Sequence, residues 1–315
     1  MMLDCTWSSV SLYLLYAVGL YATILYLYEA LESPVCIVWN VVFPSRSLKE
    51  RYGPWAVITG SSDGIGKQYA LNLAREGMNL VLISRTKSKL EKVAQEIQGE
   101  CNVEVKLIDV DFYDGDHVYD RIQKELKGLD VGVLVNNVGC VHKFPATVDE
   151  ISISELRQTF TVNMYPAVRM VQMLLPEMKQ RRRGIVVNVS SASGHCALPY
   201  ATMYAASKAF LDSFSRGLQE ELLGSGVECQ LVGPMLVDTN MIADIRQNLF
   251  IKLMSIDVEA FGKTAAWLIG KTNYTTGCCK HAIQTIVITI LPRWIITKML
   301  GSIVLKLGRD MEKKS

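Results

Sequence analysis

Little in this chain would hold a metal or a disulfide framework. Its 8 cysteines include one adjacent pair, Cys278-Cys279, and no C-x-x-C. That removes zinc-ribbon and thioredoxin-type motifs. The 4 histidines, at positions 117, 142, 195 and 281, never fall at ligand spacing, so no metal is expected. A strong charge of either sign is also missing. The formal net charge is +2 over 315 residues, which argues against nucleic acid as the main partner. The basic run Arg181-Arg182-Arg183 sits between an apolar helical stretch and a strand, where a solvated loop is the expected fate. Internal repeats and low-complexity tracts are absent, which excludes solenoid and collagen-like architectures. Before the first apolar run the only charge is Asp4. A cleaved signal peptide opens on basic residues, so an uncleaved segment is expected instead.

What is present is apolar sequence in excess of an ordinary core. Half the residues are hydrophobic and the mean hydropathy is +0.19. Val10 to Tyr28 carries no charge and approaches the roughly twenty residues that span a bilayer. It reads as a membrane anchor. Arg46, Lys49 and Arg51 follow it, which by the positive-inside rule puts the rest of the chain in the cytosol. Pro34 to Pro44 is a second, shorter apolar stretch, open to either further membrane contact or a re-entrant piece.

From Arg51 onward short apolar runs alternate with helical patterns. Strands are expected at 55–59, 79–84, 103–109, 131–136, 185–189 and 227–232. Helices are expected at 64–76, 87–98, 116–126, 154–179 (bent before Pro166) and 200–223. This alternation implies an α/β fold, a doubly wound parallel sheet of Rossmann type with helices on both faces. Three segments result: an anchor and linker at 1–50, a catalytic domain at 51–275, and an apolar, membrane-associated segment at 276–315.

The first strand runs into Thr59-Gly60-Ser61-Ser62-Asp63-Gly64-Ile65-Gly66. Glycines at a strand-to-helix turn allow a tight bend and close approach to a pyrophosphate, which the helix N-terminus then faces. The spacing is G-x-x-x-G-x-G rather than G-x-G-x-x-G. The second strand ends in Ser84-Arg85, where an NAD site commonly has an acid for the ribose 2′-hydroxyl. A hydroxyl and a cation suit a 2′-phosphate, so NADPH/NADP+ is the expected cofactor. Asp111, with Asp109 as the competing choice, offers a carboxylate to the adenine amino group. In Asn136-Asn137-Val138-Gly139 the amides are placed either to hold neighbouring backbone or to border the adenine ribose.

Ser190 to Lys208 carries the candidate chemistry. Tyr204 and Lys208 lie one turn apart and share a helix face, read as an exposed one. A cation near a phenol lowers its pKa from about 10, and such a tyrosine exchanges a proton with a substrate oxygen. A tyrosine and a solvated lysine on an amphipathic helix give the same local pattern. Ser191, thirteen residues before Tyr204, is positioned to bond the same oxygen; Ser190 is its neighbour and rival.

Taken together, these motifs resemble the short-chain dehydrogenase/reductase family. The resemblance covers about Trp55 to Thr239 and also rests on Asn163 and Pro234-x-x-Val237-x-Thr239. Within the family the chain is most similar to the membrane-bound 17β-hydroxysteroid dehydrogenases of types 3 and 12, the latter being very-long-chain 3-oxoacyl-CoA reductases. Met235 departs from the family's usual glycine after the proline.

The resemblance implies an NADP-dependent oxidoreductase reducing a ketone on a lipid, either a 17-ketosteroid or a long-chain 3-oxoacyl-CoA. A catalytically silent scaffold that binds cofactor or lipid is the alternative. Tyr204 would be the general acid, Lys208 its partner and a ribose ligand, and Ser191 the holder of the substrate oxygen. Asn163 would hold a water in a proton path from Lys208. Gly60, Ser61, Ser62, Asp63, Gly64, Ile65, Gly66, Ser84, Arg85, Asp111, Asn137, Gly139, Pro234, Val237 and Thr239 would line the cofactor.

The resemblance also implies an endoplasmic-reticulum membrane location, facing the cytosol, and a homodimer face on the long helices before Lys179 and after Tyr200. Residues 235–260, rich in Leu, Ile, Met and Phe, are expected to form a lid over an apolar substrate. The apolar stretches after Thr275 are expected to attach at the membrane interface.

Overall fold

The computed structural model describes residues 9–24, 47–141, 145–243 and 245–312. The chain divides into two compact units, Met1–Pro44 and Ser45–Ser315. In the first, residues 9–24 form a helix, α1, whose side chains are exposed along its length. Among the described residues no helix is long and apolar enough to cross a membrane. The end of the expected anchor, the stretch Pro34–Pro44 and Arg46 lie outside the described residues.

The second unit opens with α2 (Leu48–Tyr52) and then alternates strand and helix. The elements are β1 (Trp55–Thr59), α3 (Gly64–Arg75), β2 (Asn79–Ser84), α4 (Lys87–Glu100), β3 (Val105–Asp109), α5 (His117–Leu126) and β4 (Val131–Asn136). They continue with α6 (Ile153–Asn163), α7 (Tyr165–Arg181), β5 (Gly184–Val189), α8 (Thr202–Glu221) and β6 (Val227–Val232). Last come β7 (Val237–Asp238), α9 (Leu249–Met254), β8 (Ile256–Asp257), α10 (Val258–Trp267), β9 (Tyr274–Thr275), α11 (Cys279–Ile290) and α12 (Arg293–Glu312). The main sheet has seven strands in the order β3-β2-β1-β4-β5-β6-β9, all parallel. The expected α/β fold is the one observed. The short strand β9, which carries no long apolar run, is the member that sequence periodicity does not reveal.

Each central strand feeds two cores because successive side chains point to opposite faces. Ala56 and Ile58 of β1 pack with Tyr69 and Leu73 of α3, Leu90 of α4 and Phe261 of α10. Trp55 and Val57 pack on the other face, with Ile122 of α5, Met170 of α7 and Leu218 of α8. Burial on both sides explains why β1, β4 and β5 are apolar almost throughout. The expected bend before Pro166 is a break between two helices. Proline lacks an N–H and suits a first turn, and here it opens α7 after Met164.

One sequence expectation changes. Arg181, Arg182 and Arg183 are not a free solvated loop. Arg181 and Arg183 pair with Asp130 at 2.9 and 2.5 Å, Arg181 also donates to the Val131 carbonyl, and Arg182 donates to that of Gly224. The run fastens the end of α7 to the loops at the amino ends of β4 and β6. The C-terminal stretches fold back in part: Ile251 of α9 and Leu307 of α12 are buried together with Ile245.

Candidate active site

The expected site residues gather at the carboxyl ends of β1 to β6, where open parallel sheets hold their ligands, with Asn163 contributed by α6 and Tyr204 and Lys208 by α8. The glycine turn is shaped by backbone demands. Gly60 and Gly64 have φ of +65° and +55°, the left-handed region glycine tolerates. A Cβ on Gly66 would lie 2.3 Å from the Gly60 carbonyl oxygen, so only glycine allows α3 to start there.

Asn137 holds this turn from the next strand. Its Nδ2 donates to the carbonyls of Thr59 and Gly60, both at 3.1 Å. Thr59 Oγ1 in return accepts from the N–H groups of Asn137 and Val138. Of the two roles left open for the amide, backbone support is the one observed.

The side chains of the turn divide by role. Ser61 is buried and its hydroxyl faces the Ile83 carbonyl at 3.4 Å. Ser62 Oγ and Ser84 Oγ are 2.8 Å apart, joining the turn to the end of β2. The Asp63 carboxylate caps α3 through Gly64 N–H at 2.7 Å and also bonds Asn240. Ile65 packs into the core beneath. Beyond Ser84, the Arg85 side chain is 69% exposed and its guanidinium lies 3.4 Å from Asp111. These two residues line an open cavity with His117 and Arg121. Asp109 is engaged by Arg121 at 2.6 Å, and that bond holds its carboxyl below the usual range. Asp111 also accepts from Tyr113 N–H at 3.0 Å, so both acids are engaged.

The candidate catalytic group sits beside the turn. Ser190 is buried and donates to the Lys208 carbonyl at 3.0 Å, whereas Ser191 is half-buried and accepts from Ser193 N–H at the mouth of the cleft. The choice between the two serines falls to Ser191. Ala192 N–H bonds the Pro234 carbonyl at 2.8 Å, fixing the serine turn against the end of β6. Lys208 Nζ stands 5.8 Å from the Tyr204 ring centroid.

The helix face they share is not an exposed one. Lys208 is only 4% accessible and donates to the Val189 carbonyl at 3.1 Å. Burial, partly opposed by Asp212, brings its ammonium down to about 8. Burial also raises the Tyr204 phenol, against a bond with Ser191 that lowers it. The expected depression of the phenol by the lysine is thus not seen; desolvation of both groups outweighs it.

The Asn163 side chain is engaged by neighbouring protein groups. Its Oδ1 accepts from Cys140 N–H at 2.7 Å, and its Nδ2 donates to the Cys140 carbonyl and Ser207 Oγ. The side chain is spent on tying the strand-end loop to α8, which leaves the amide no free N–H for a water. Gly139 lies over the lysine: a Cβ there would be 3.6 Å from Lys208 Nζ. Val237 is buried in the core. Thr239 Cγ2 stands 3.2 Å from where a Gly64 Cβ would be, which brings the base of the lid to the start of α3.

Sequence reasoning missed three contributors. Asp212, one turn beyond Lys208, is 6% accessible, and its i,i+4 spacing was a usable signal. His195 reaches Asp212 at 3.1 Å, and nothing local foretells it. His281 accepts from Met235 N–H through Nδ1 and faces the Leu236 carbonyl through Nε2, supporting the root of the lid from α11. The lid itself is mixed: Ile245 and Ile251 are buried, while Leu249, Phe250 and Leu253 are exposed.

The short chain dehydrogenase family matches residues 54–249. The chain is 40% identical over 267 residues to the very-long-chain 3-oxoacyl-CoA reductase of Anas platyrhynchos, covering 84% of each. It is 38% identical over 248 residues to the inactive hydroxysteroid dehydrogenase-like protein 1 of Homo sapiens, covering 79% of this chain and 75% of that one. A short-chain dehydrogenase from Sphingobium yanoikuyae, solved with NADPH, is 27% identical with a TM-score of 0.64, over 70% of this chain and 87% of that one. With the glycine turn, the serine and the tyrosine–lysine pair at one end of a seven-stranded parallel sheet, this chain belongs to the short-chain dehydrogenase/reductase family.

Proposed function

We propose that the protein reduces the 3-keto group of a long-chain acyl thioester to the alcohol, with NADPH as reductant. The observation that carries this reading is the convergence of Ser191, Tyr204 and Lys208 beside a turn that only glycine can form. The cofactor fits the residues present. The crowded Gly60–Gly66 contact leaves backbone where a pyrophosphate needs it, and Ser62, Ser84 and Arg85 offer hydroxyls and a largely exposed cation to a 2′-phosphate. When bound, NADPH supplies the hydride.

The chain's own residues manage the oxygen and the proton. Ser191 Oγ donates to the substrate carbonyl oxygen and stabilises the charge growing there. Tyr204 delivers its phenolic proton to that oxygen. A phenol kept protonated by burial is the form that ketone reduction consumes. Lys208, while charged, stabilises the phenolate left behind. Asn163 keeps the Gly139–Cys140 loop pressed against this group.

The acyl thioester is favoured over a 17-ketosteroid by the names of several relatives near 40% identity. The apolar run at residues 10–28 supports attachment to the endoplasmic-reticulum membrane with the catalytic unit in the cytosol. A silent scaffold is the competing reading, prompted by the relative named inactive; the intact Ser191, Tyr204 and Lys208 speak against it.

The test offers purified protein a long-chain 3-oxoacyl-CoA and a 17-ketosteroid, each with NADPH, and follows nicotinamide absorbance. Turnover of the thioester is expected, with Tyr204→Phe lowering kcat by at least about a hundredfold while NADPH still binds. Turnover of the steroid alone would overturn the substrate, and equal rates for wild type and Tyr204→Phe would overturn the mechanism.

A further inference from the structure

We infer that Asp212, held in place by His195, is the buried counter-charge that keeps Lys208 an ammonium, making the two of them positioning residues for the tyrosine chemistry. The inference rests on the reductase reading for its kinetic consequence, though not for its direct test.

Among the described residues, Lys208 and Asp212 are the buried members of the lysine, arginine, aspartate and glutamate set. They lie four apart on α8 and therefore share a face. A lone buried ammonium is unfavourable, and a nearby carboxylate is the usual remedy.

The carboxylate is enclosed by a built arrangement, its neighbours acting on it by charge and proximity rather than through a full hydrogen bond. His195 Nδ1 is 3.1 Å from Asp212 Oδ2, and His195 Nε2 is 3.0 Å from Tyr274 Oη. Ser190, at the end of β5, donates its one hydroxyl proton to the Lys208 carbonyl beside the pair. Gly194 makes the reach possible: a Cβ there would stand 2.5 Å from Asp212 Oδ2. The turn that carries Ser191 is thus closed over an acid that serves the lysine one helical turn back.

The charged and titratable groups around the pair are few. Arg216 of α8 lies 5.9 Å from the Tyr274 ring centroid and acts on Asp212 as a fixed cation. Burial holds Tyr274 up at about 12 and Cys140 up at about 11, so both stay neutral below pH 10. Tyr204 faces Lys208 from the preceding turn. Asp212 is then the acid able to oppose the desolvation of Lys208; burial pushes its own carboxyl up against the neighbouring cations, and its field raises the lysine while burial lowers it.

The direct test is carbon NMR of protein labelled at lysine Cε, with the Lys208 signal identified by its loss in Lys208→Arg. In wild type the titration midpoint should fall near pH 8. In Asp212→Asn it should fall one to two units lower, roughly the effect of one unit charge several ångströms away at an intermediate dielectric.

The kinetic readout follows kcat for ketone reduction from pH 6 to pH 10. The alkaline limb of Asp212→Asn should move down by the same one to two units, with the NADPH dissociation constant unchanged. His195→Gln, on a half-exposed side chain, should shift the limb the same way by less, and it carries the test should Asp212→Asn fail to fold. A midpoint and limb within 0.2 units of wild type (about a 1.6-fold change in the equilibrium) in the folded variants would overturn the inference. So would a uniform drop in kcat at every pH, which is the mark of a merely structural role. Failure of the reductase reading would silence the kinetic arm and leave the NMR arm to decide.

Discussion

The glycine turn and the tyrosine–lysine face stand side by side at the carboxyl ends of the strands, yet they are held by different forces. Mostly neutral groups hold the turn together: two contacts from the Asn137 amide to backbone carbonyls, two from backbone N–H groups to Thr59 Oγ1, and a glycine-to-carbonyl contact that admits no Cβ, with the Asp63 carboxylate capping α3 as the charged exception. The catalytic face instead stores two buried ionisable groups and spends three hydrogen bonds of Asn163 to keep its roof in place. Fit in the first region is a matter of shape. In the second it depends on protonation. A perturbation of geometry should therefore strike cofactor binding, and a change of pH should strike turnover.

The hardest test of shape is Gly66→Ala. The added methyl would collide with the Gly60 carbonyl at 2.3 Å, and a backbone atom cannot yield cheaply. NADPH affinity, followed by nicotinamide fluorescence, should fall at least about tenfold, since overpacking costs about 1–3 kcal/mol. Thr59→Val is next. It keeps the volume but strands two N–H groups, and thermal or urea unfolding should show a loss of about 2 kcal/mol, with Thr59→Ser largely spared.

The pH comparison separates the regions without mutation. Lys208 is charged below about 8 and loses its proton above. Ketone reduction should fall as pH rises through that value, while NADPH affinity measured between pH 7.5 and 9.5 changes little. A parallel decline in both would erase the contrast. Arg85→Ala should raise KM for NADPH by roughly fivefold and leave that for NADH nearly unchanged, about 1 kcal/mol for an exposed charge contact. Unchanged selectivity would take Arg85 out of the cofactor's reach. Leu253→Ser on the exposed side of α9 should be the mildest, within about 0.5 kcal/mol in stability, and should act on KM for the acyl substrate alone.

The two regions also differed in how far they could be read from sequence. A glycine turn is a local device, and its residues at 60, 64 and 66 announce it because backbone conformation is decided within a few positions. Tyr204 and Lys208 were visible for the same reason, being one helical turn apart. Their surroundings were not. Whether a helix face is wet or dry depends on what packs over it. Here the strand-end loop at 139–140 and the turn at 191–194 bury a lysine that local pattern would leave in solvent. Asn163 illustrates the same limit: its type marked it as polar machinery, but its partners, Cys140 and Ser207, come from distant segments. The choice of Ser191 over Ser190 rests on its family spacing to Tyr204, and the inward turn of Ser190 is consistent with it. Strand β9 and the fold-back of α12 are long-range events with weak local signals.

The all-parallel order of the sheet has a consequence for the making of the protein. No two neighbouring strands are joined by a hairpin, so every pairing waits for a crossover to be completed. Pairings of this kind, distant along the chain, form slowly and leave apolar strands exposed in the interim. The outer edge of β6 is the last to be covered, because its partner at Leu231 and Val232 is the two-residue strand Tyr274–Thr275. A ribosome must therefore release most of the chain before that edge is covered. A version ending ahead of Tyr274 would leave an open strand beside the serine turn, an invitation to aggregate rather than a smaller enzyme.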